Sequence, residues 1–245
     1  MRRANVLVAE VLEALQRAVA PGVTTADLDR IAEERTRKAG ARPAFKGYRG
    51  FPASLCVSIN HEVVHGIPSS KRVIRDGDVV SLDFGTVIDG FYGDGAVTIA
   101  VGDVPEAKRK LLRVTEEALH CGIEAMRVGN RISDIGYAVQ GHVEANGFSV
   151  VREYVGHGIG TALHEDPQVP NYGEPGHGPR LLPGMVLAIE PMVNTGTHHV
   201  RLMPDQWTVV TEDGSCSAHF ELSVAVTEGG PWILSRGRPS GGNGA

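Results

Sequence analysis

Cysteine is scarce in this 245-residue chain, with only Cys56, Cys121 and Cys216 present. They are widely spaced, odd in number and form no CxxC pair, which argues against a disulfide framework and for a reducing compartment. No stretch approaches the roughly 20 apolar residues of a membrane span. Met1-Arg2-Arg3 could open a signal peptide, but the apolar run from Ala4 to Ala9 is short and Glu10 and Glu13 follow at once, so no h-region forms. There is no long basic run and the formal net charge is −5, which removes nucleic acid as a principal partner. These absences lead to the expectation of a soluble, cytoplasmic protein without membrane contacts. With 42% apolar and 22% charged residues, the chain can build an ordinary globular core as one large domain or two small ones.

Periodicity places a helix through Val6, Val8, Val11, Leu12, Leu15 and Val19, ended by Pro21-Gly22. A second helix, capped by Thr24 or Thr25, runs to Gly40. Helices return from about Pro105 to Met126 and from Ser133 to Asn146. Strand patterns cover Leu55 to Ile59, Val150 to Val155, Met185 to Met192, Thr208 to Thr211 and Phe220 to Thr227. Residues 235–245 read as a disordered tail, small, polar and Gly-rich. Shifting the chain so that Gly22 falls on Gly129 also aligns Asp27 with Asp134, Leu28 with Ile135 and Gly40 with Gly147 without a gap. That repeat predicts one α+β domain of two related halves around a shared antiparallel sheet, helices outside and a cleft between.

The most informative stretch runs from Ser81 to Asp94. Asp89-Gly90 is a two-residue hairpin signal. Pairing outward from it sets Gly85 opposite Asp94 and puts Asp83 on the same face as Asp94. Two like charges on one strand face repel, and an ion between them would resolve the cost; two unrelated carboxylates on a solvated face remain the alternative. Three further groups raise similar questions. His157 sits among glycines in Gly156-His157-Gly158-Ile159-Gly160, either as a metal ligand approached closely by the backbone or as an exposed His in a turn. Glu190 ends an apolar strand and Glu221 lies inside one, so each needs a cation, an Arg or Lys partner, or hydrogen bonds. One imidazole and four carboxylates would suit Mn, Fe, Co or Zn, and four carboxylates can bridge two ions.

At these residues the sequence closely resembles the type I methionine aminopeptidases, which have the pita-bread fold. The matching segments are Asn60-His61-Glu62-Val63-Val64-His65-Gly66-Ile67-Pro68, Asp83 through Asp94, Gly156 through Gly160, Ile189-Glu190-Pro191-Met192 and Phe220-Glu221. The resemblance implies a single catalytic domain over residues 1–234 that removes the initiator methionine before a small second residue. It implies two divalent ions per chain (Co, Mn, Fe or Zn), with Asp83 on one, His157 and Glu190 on the other, and Asp94 and Glu221 bridging. A metal-bridging hydroxide would attack the scissile carbonyl with Glu190 as proton shuttle. His65 and His164 would contact the substrate, His164 stabilising the oxyanion. Tyr48, Phe51, Cys56 and Trp207, with Phe45 less secure, would wall the methionine pocket. Its partners would be N-terminal methionyl peptides and nascent proteins; the resemblance further implies a monomer and leaves ribosome contact open.

There are departures from the pattern. His219 stands where the family usually has Gln, where it could support Glu221 as a donor. Leu222 replaces His, and Leu163 stands where an aromatic is common, widening one pocket wall. No zinc-binding extension precedes the first helix, and no long insertion separates His157 from Glu190. Two other readings stay open, namely a proline-specific aminopeptidase of the same fold and a catalytically silent pita-bread binding protein.

Overall fold

The computed structural model describes residues 1–236; the expected disordered tail therefore lies, from residue 237 on, outside the described residues. Helices α1 (Arg2–Ala18) and α2 (Thr25–Lys38) open the chain. The apolar stripe of α1 is buried at Leu7, Val8, Val11, Leu12 and Leu15, as its spacing requires. α2 starts in a reciprocal cap, with the Asp27 N–H donating to Thr24 Oγ1 and the Thr24 N–H donating to Asp27 Oδ2, both at 3.2 Å. Next come β1 (Arg42–Pro43), β2 (Cys56–Ile59), β3 (Glu62–Val64), β4 (Val79–Ile88) and β5 (Phe91–Ala100).

The second half repeats this plan. α3 (Glu106–Glu124) and α4 (Ile132–Ala145) are followed by β6 (Ser149–Val150), β7 (Gly156–Gly158), β8 (Glu165–Val169) and β9 (Val186–Ile189). The chain closes with β10 (Met192–Asn194), β11 (Val200–Leu202), β12 (Val209–Thr211), β13 (Ser217–His219), β14 (Glu221–Thr227) and β15 (Gly230–Ile233). α2 and α4 have the same length and are related by the offset read from the sequence. Asp134 caps the Arg131 N–H at 2.7 Å as Asp27 does for Thr24. Gly22 (φ 93°) and Gly129 (φ 95°) make equivalent left-handed turns, and the bridges Thr24↔Val73 and Arg131↔Arg180 are equivalent too. The same offset carries Asp83 onto Glu190.

The main sheet is antiparallel, in the order β1-β4-β5-β14-β9-β7-β8, with β2 also on β4 and β15 on β14. Two three-stranded sheets, β13-β10-β6 and β11-β12-β3, flank it. α1 and α2 bury Leu12, Leu15 and Leu28 against Leu82 and Phe84 of β4, while α3 and α4 pack Leu119, Ile123 and Ile135 against Leu187, Ile189 and Val224. Because strand side chains alternate, burying Leu82 and Phe84 under helices turns Asp83 to the opposite face.

The β4–β5 hairpin has the expected register, with Ile88↔Phe91, Thr86↔Gly93 and Gly85↔Asp94. Asp89 (φ 52°) and Gly90 (φ 80°) both take the positive φ of the turn. The strands expected over residues 55–59, 208–211 and 220–227 are present as β2, β12 and β14, but two expectations are corrected. Of Val150 to Val155 only Val150 is strand, and the chain then leaves the sheet so that Tyr154 reaches the cavity described below. Met185 to Met192 is two strands broken at Glu190-Pro191, the second belonging to another sheet. A matching break at Phe220 separates β13 from β14.

Candidate metal centre

Antiparallel pairing lines up Cys56, Asp83, Ala96 and Glu221 across β2, β4, β5 and β14. Glu190 extends that row, because Ile189 pairs with Leu222 and Glu190 is the next residue along. Two residues along the strands, Asp94 pairs with Gly85 and His157 with Ala188. The four carboxylates and the imidazole therefore project from one sheet face in two adjacent rows. Ligand atoms of Asp94, His157 and Glu221 lie within 4.8 Å of one another, as do those of Glu190, His219 and Glu221. Asp94, His157 and Glu221 are buried.

Burial pushes the carboxyl of Asp94 up to about 7 against the single backbone N–H of Gly95 that favours its charge. Asp83, Glu190 and Glu221 are also driven well above the carboxylate range, first by burial and then by their neighbours' negative charge. At 4 Å, two like charges cost about 4 kcal/mol even at an effective dielectric of 20, so four ionised carboxylates need compensating positive charge. None of them pairs with Lys or Arg among the described residues; the ion-pair partners of Glu190 are His157 (3.5 Å) and His219 (3.7 Å). Asp83 Oδ1 and Glu221 Oε1 are buried without a hydrogen-bond partner. Orphaned acceptors, mutual repulsion and an oxygen-rich donor set with one well-aimed nitrogen fit divalent cations.

His157 is prepared for such a role. Its Nδ1 lies 2.8 Å from the Gly158 carbonyl, to which it donates, leaving Nε2 as the free lone pair. Burial lowers its pKa and favours the neutral, ligating form. Its flanking glycines serve the sheet rather than a ligand, since a Cβ on Gly156 would lie 2.3 Å from the Ala188 carbonyl oxygen and one on Gly158 2.4 Å from that of Asp166. Gly85 likewise makes room for protein, because a Cβ there would meet the Phe45 ring at 2.9 Å and Ala44 at 3.0 Å. At the His157 glycines the close backbone approach is thus to neighbouring strands and not to a ligand, while a Cβ at Gly85 would also crowd Asp94 Oδ1 at 3.3 Å.

Above the carboxylates lies a cavity of about 360 Å³. Its walls include Phe45, Tyr48, Phe51, Cys56, His65, Leu163, His164 and Trp207, and Asp83, Asp94, His157, Glu190 and Glu221 reach it from the sheet. Phe51 and Trp207 meet edge to face at 5.1 Å and His164 stacks on Tyr48 at 5.3 Å. The Tyr48 hydroxyl lies 2.8 Å from His164 Nδ1. Burial holds His65 and His164 down at about 4, with the neighbouring His157 adding to the effect on His164. Both are therefore neutral at pH 7. Sequence reasoning missed Arg49, Tyr154 and Gln168, which also line the cavity. Tyr154, edge-on to His65 at 5.7 Å, could have been found as the aromatic just ahead of Gly156-His157.

The model of metallopeptidase family M24 matches residues 1–228. A methionine aminopeptidase of Clostridium acetobutylicum is 54% identical over 96% of this chain and 94% of that protein. The crystal structure of a methionine aminopeptidase from Thermotoga maritima superposes with a TM-score of 0.95 at 47% identity, covering 97% of this chain and 95% of that one. A prolidase from Pyrococcus furiosus shares the fold alone, at 22% identity and a TM-score of 0.76 over 97% of this chain and 63% of that one. With about half its residues shared along almost the full length of both sequences, the chain belongs to metallopeptidase family M24, among the methionine aminopeptidases of pita-bread fold.

Proposed function

We propose that residues 1–234 act as one catalytic domain that removes the N-terminal methionine of nascent proteins when the second residue is small. The observation that carries this reading is the convergence of Asp83, Asp94, His157, Glu190 and Glu221 beneath a cavity with apolar, aromatic and sulfur-bearing walls. Asp83 would hold one ion and His157 and Glu190 the other, with Asp94 and Glu221 shared. Bound there, two divalent ions of the Co, Mn, Fe or Zn class would supply Lewis acidity and an activated water.

The protein's own groups do the rest. Phe45, Phe51, Cys56 and Trp207 would enclose the flexible thioether side chain, whose polarisable sulfur packs well against aromatic edges. With that side chain enclosed, the scissile carbonyl would lie over the carboxylates. Glu190, whose burial raises its proton affinity, would take a proton from the attacking water and deliver it to the leaving amine. A Tyr48 hydroxyl donating to His164 Nδ1 leaves the proton of the neutral ring on Nε2. That N–H is then free to donate to the oxygen that gains charge in the tetrahedral state. His65, opposite, would contact the substrate backbone.

His164→Ala is therefore expected to lower kcat by about 10²–10³ with little change in KM, because an oxyanion contact acts in the transition state. Steady-state kinetics on a methionyl tripeptide checks this, and a raised KM at unchanged kcat would make His164 a binding group only. The reading as a whole is tested by comparing release from Met-Ala-Ser and from Xaa-Pro peptides after loading with Co or Mn. Methionine release should dominate. Preferential cleavage before proline would assign the chain to the proline-specific branch, and failure to take up metal would leave a silent binding protein.

A further inference from the structure

His219 is the one member of the buried cluster that the proposed reaction leaves unused. It ends β13, two residues before Glu221, and its side chain is 2% exposed. Neither ring nitrogen has a hydrogen-bond partner, an arrangement that costs stability unless something compensates. Its backbone is fixed on both sides. Thr98 Oγ1 donates to the His219 carbonyl at 2.7 Å and accepts from the His219 N–H at 2.9 Å, and Ser81 Oγ lies 2.8 Å from the same Thr98 hydroxyl. The backbone that carries the ring is thus fixed, and the ring faces Glu190.

The Glu190 carboxylate lies between two imidazoles. Oε1 is 3.5 Å from His157 Nε2 and Oε2 is 3.7 Å from His219 Nε2. The two imidazoles flank it along the strands, since His219 pairs with Met192 and His157 with Ala188, two residues to either side of Glu190. Asp94 belongs to the His157 side, within 4.8 Å of His157 and Glu221. Ions held by Asp94, His157 and Glu221 would lie on the side of Glu190 Oε1, which is 3.5 Å from His157 Nε2, and not on the His219 side. Oε2 lies 3.7 Å from His219 Nε2, with Glu221 also within 4.8 Å of both, and a carboxylate shift of under about 1 Å brings the Glu190–His219 pair into hydrogen-bond range.

We propose that His219 is a positioning residue which donates from Nε2 to the outer oxygen of Glu190, fixing the carboxylate so that its inner oxygen is presented to the metal and its proton-transfer role is confined to one orientation. The inference rests on the metal reading of the site. Ligating carboxylates are held by such outer hydrogen bonds, and their loss typically costs 10–100-fold in metal affinity. Any side chain that places an N–H at this point should serve, whereas one that fills the space without a donor should not.

The test compares His219→Gln, which keeps a donor, with His219→Leu, which keeps the bulk and loses it. The measurement is calorimetric titration of the metal-free full-length protein with Mn²⁺, together with denaturant unfolding of the metal-free variants. Leu should weaken Mn²⁺ binding by roughly 10–100-fold, Gln by less than about three-fold, and neither should destabilise the metal-free fold. Equal, wild-type affinities for Gln and Leu would overturn the proposal, leaving His219 as packing. Equal losses in both would overturn it as well, since the imidazole itself would then be required as a ligand. A wild-type protein that takes up no Mn²⁺ would instead sink the metal reading, which keeps the two failures distinct.

Discussion

Asp94→Asn is expected to reduce methionine release by at least ~10⁴-fold, roughly 5 kcal/mol of transition-state stabilisation, and to weaken all metal binding together. Asp94 lies in the His157 row, within 4.8 Å of His157 and Glu221 ligand atoms, and is paired with Gly85, two residues along β4 from Asp83. Removing its charge takes away one of the two carboxylates, with Glu221, that would be shared by both ions. Asparagine is isosteric and its Oδ1 still accepts the Gly95 N–H now donated to Asp94 at 3.0 Å, so the hairpin has no reason to shift. The metal-free variant should in fact unfold at a higher temperature than the metal-free parent, because a buried, repelled acid is gone. Kinetics, Mn²⁺ titration and thermal unfolding on one preparation separate these effects. Turnover near the parent value would remove Asp94 from the catalytic centre.

The two halves and the hairpin were legible because local chemistry decides them. The Thr24/Asp27 cap, the Asp89-Gly90 turn and the helical stripes each involve residues a few positions apart. Candidate ligands were legible for a related reason: Asp83 and Asp94 share a face through a register that the turn alone sets. What stayed hidden depends on strands distant in sequence. Nothing local says that the Gly156 and Gly158 hydrogens face carbonyls of β9 and β8, or that Glu190 and Glu221 mark the places where two strands leave one sheet for another. The same is true of Tyr154, which tertiary packing pulls out of an apparently regular β pattern. Burial of His219 with both nitrogens unpaired is likewise visible only once β13 and β10 lie side by side.

Metal-free protein is expected to lose stability as pH rises above about 7.5, and metal loading is expected to abolish that loss. Four carboxyls, Asp83, Asp94, Glu190 and Glu221, hold protons more tightly folded than unfolded. Between the unfolded values near 4 and the folded ones, the native state binds more protons, so stability falls with rising pH at about 1.4 kcal/mol per group per unit. Their contribution is complete below pH 4 and is lost as each folded pKa is passed, at about 7 for Asp94, with Asp83, Glu190 and Glu221 also raised by burial and their neighbours' charge. The histidines facing them act oppositely. His65 and His164 near 4, His219 near 3 and His157, also lowered, favour the native state increasingly up to their unfolded value near 6.5. The two sets offset each other between pH 4 and 6.5. From about pH 7.5 the histidines are essentially neutral in both states, and only the carboxyl effect remains, carried by Asp83, Glu190 and Glu221, which burial raises well above the carboxylate range. Divalent ions displace the same protons, so the loaded native state no longer binds the excess and the slope vanishes, with proton release on loading as its counterpart. Urea unfolding at pH 6.5, 7.5 and 8.5 with chelator and with Mn²⁺ reads the slopes, and titration in buffers of different ionisation enthalpy counts the protons. A metal-free stability that is flat or rising above about pH 7.5 would mean that the four carboxylates are already balanced by some other charge, and the case for a divalent-ion centre built on their burial would fail with it.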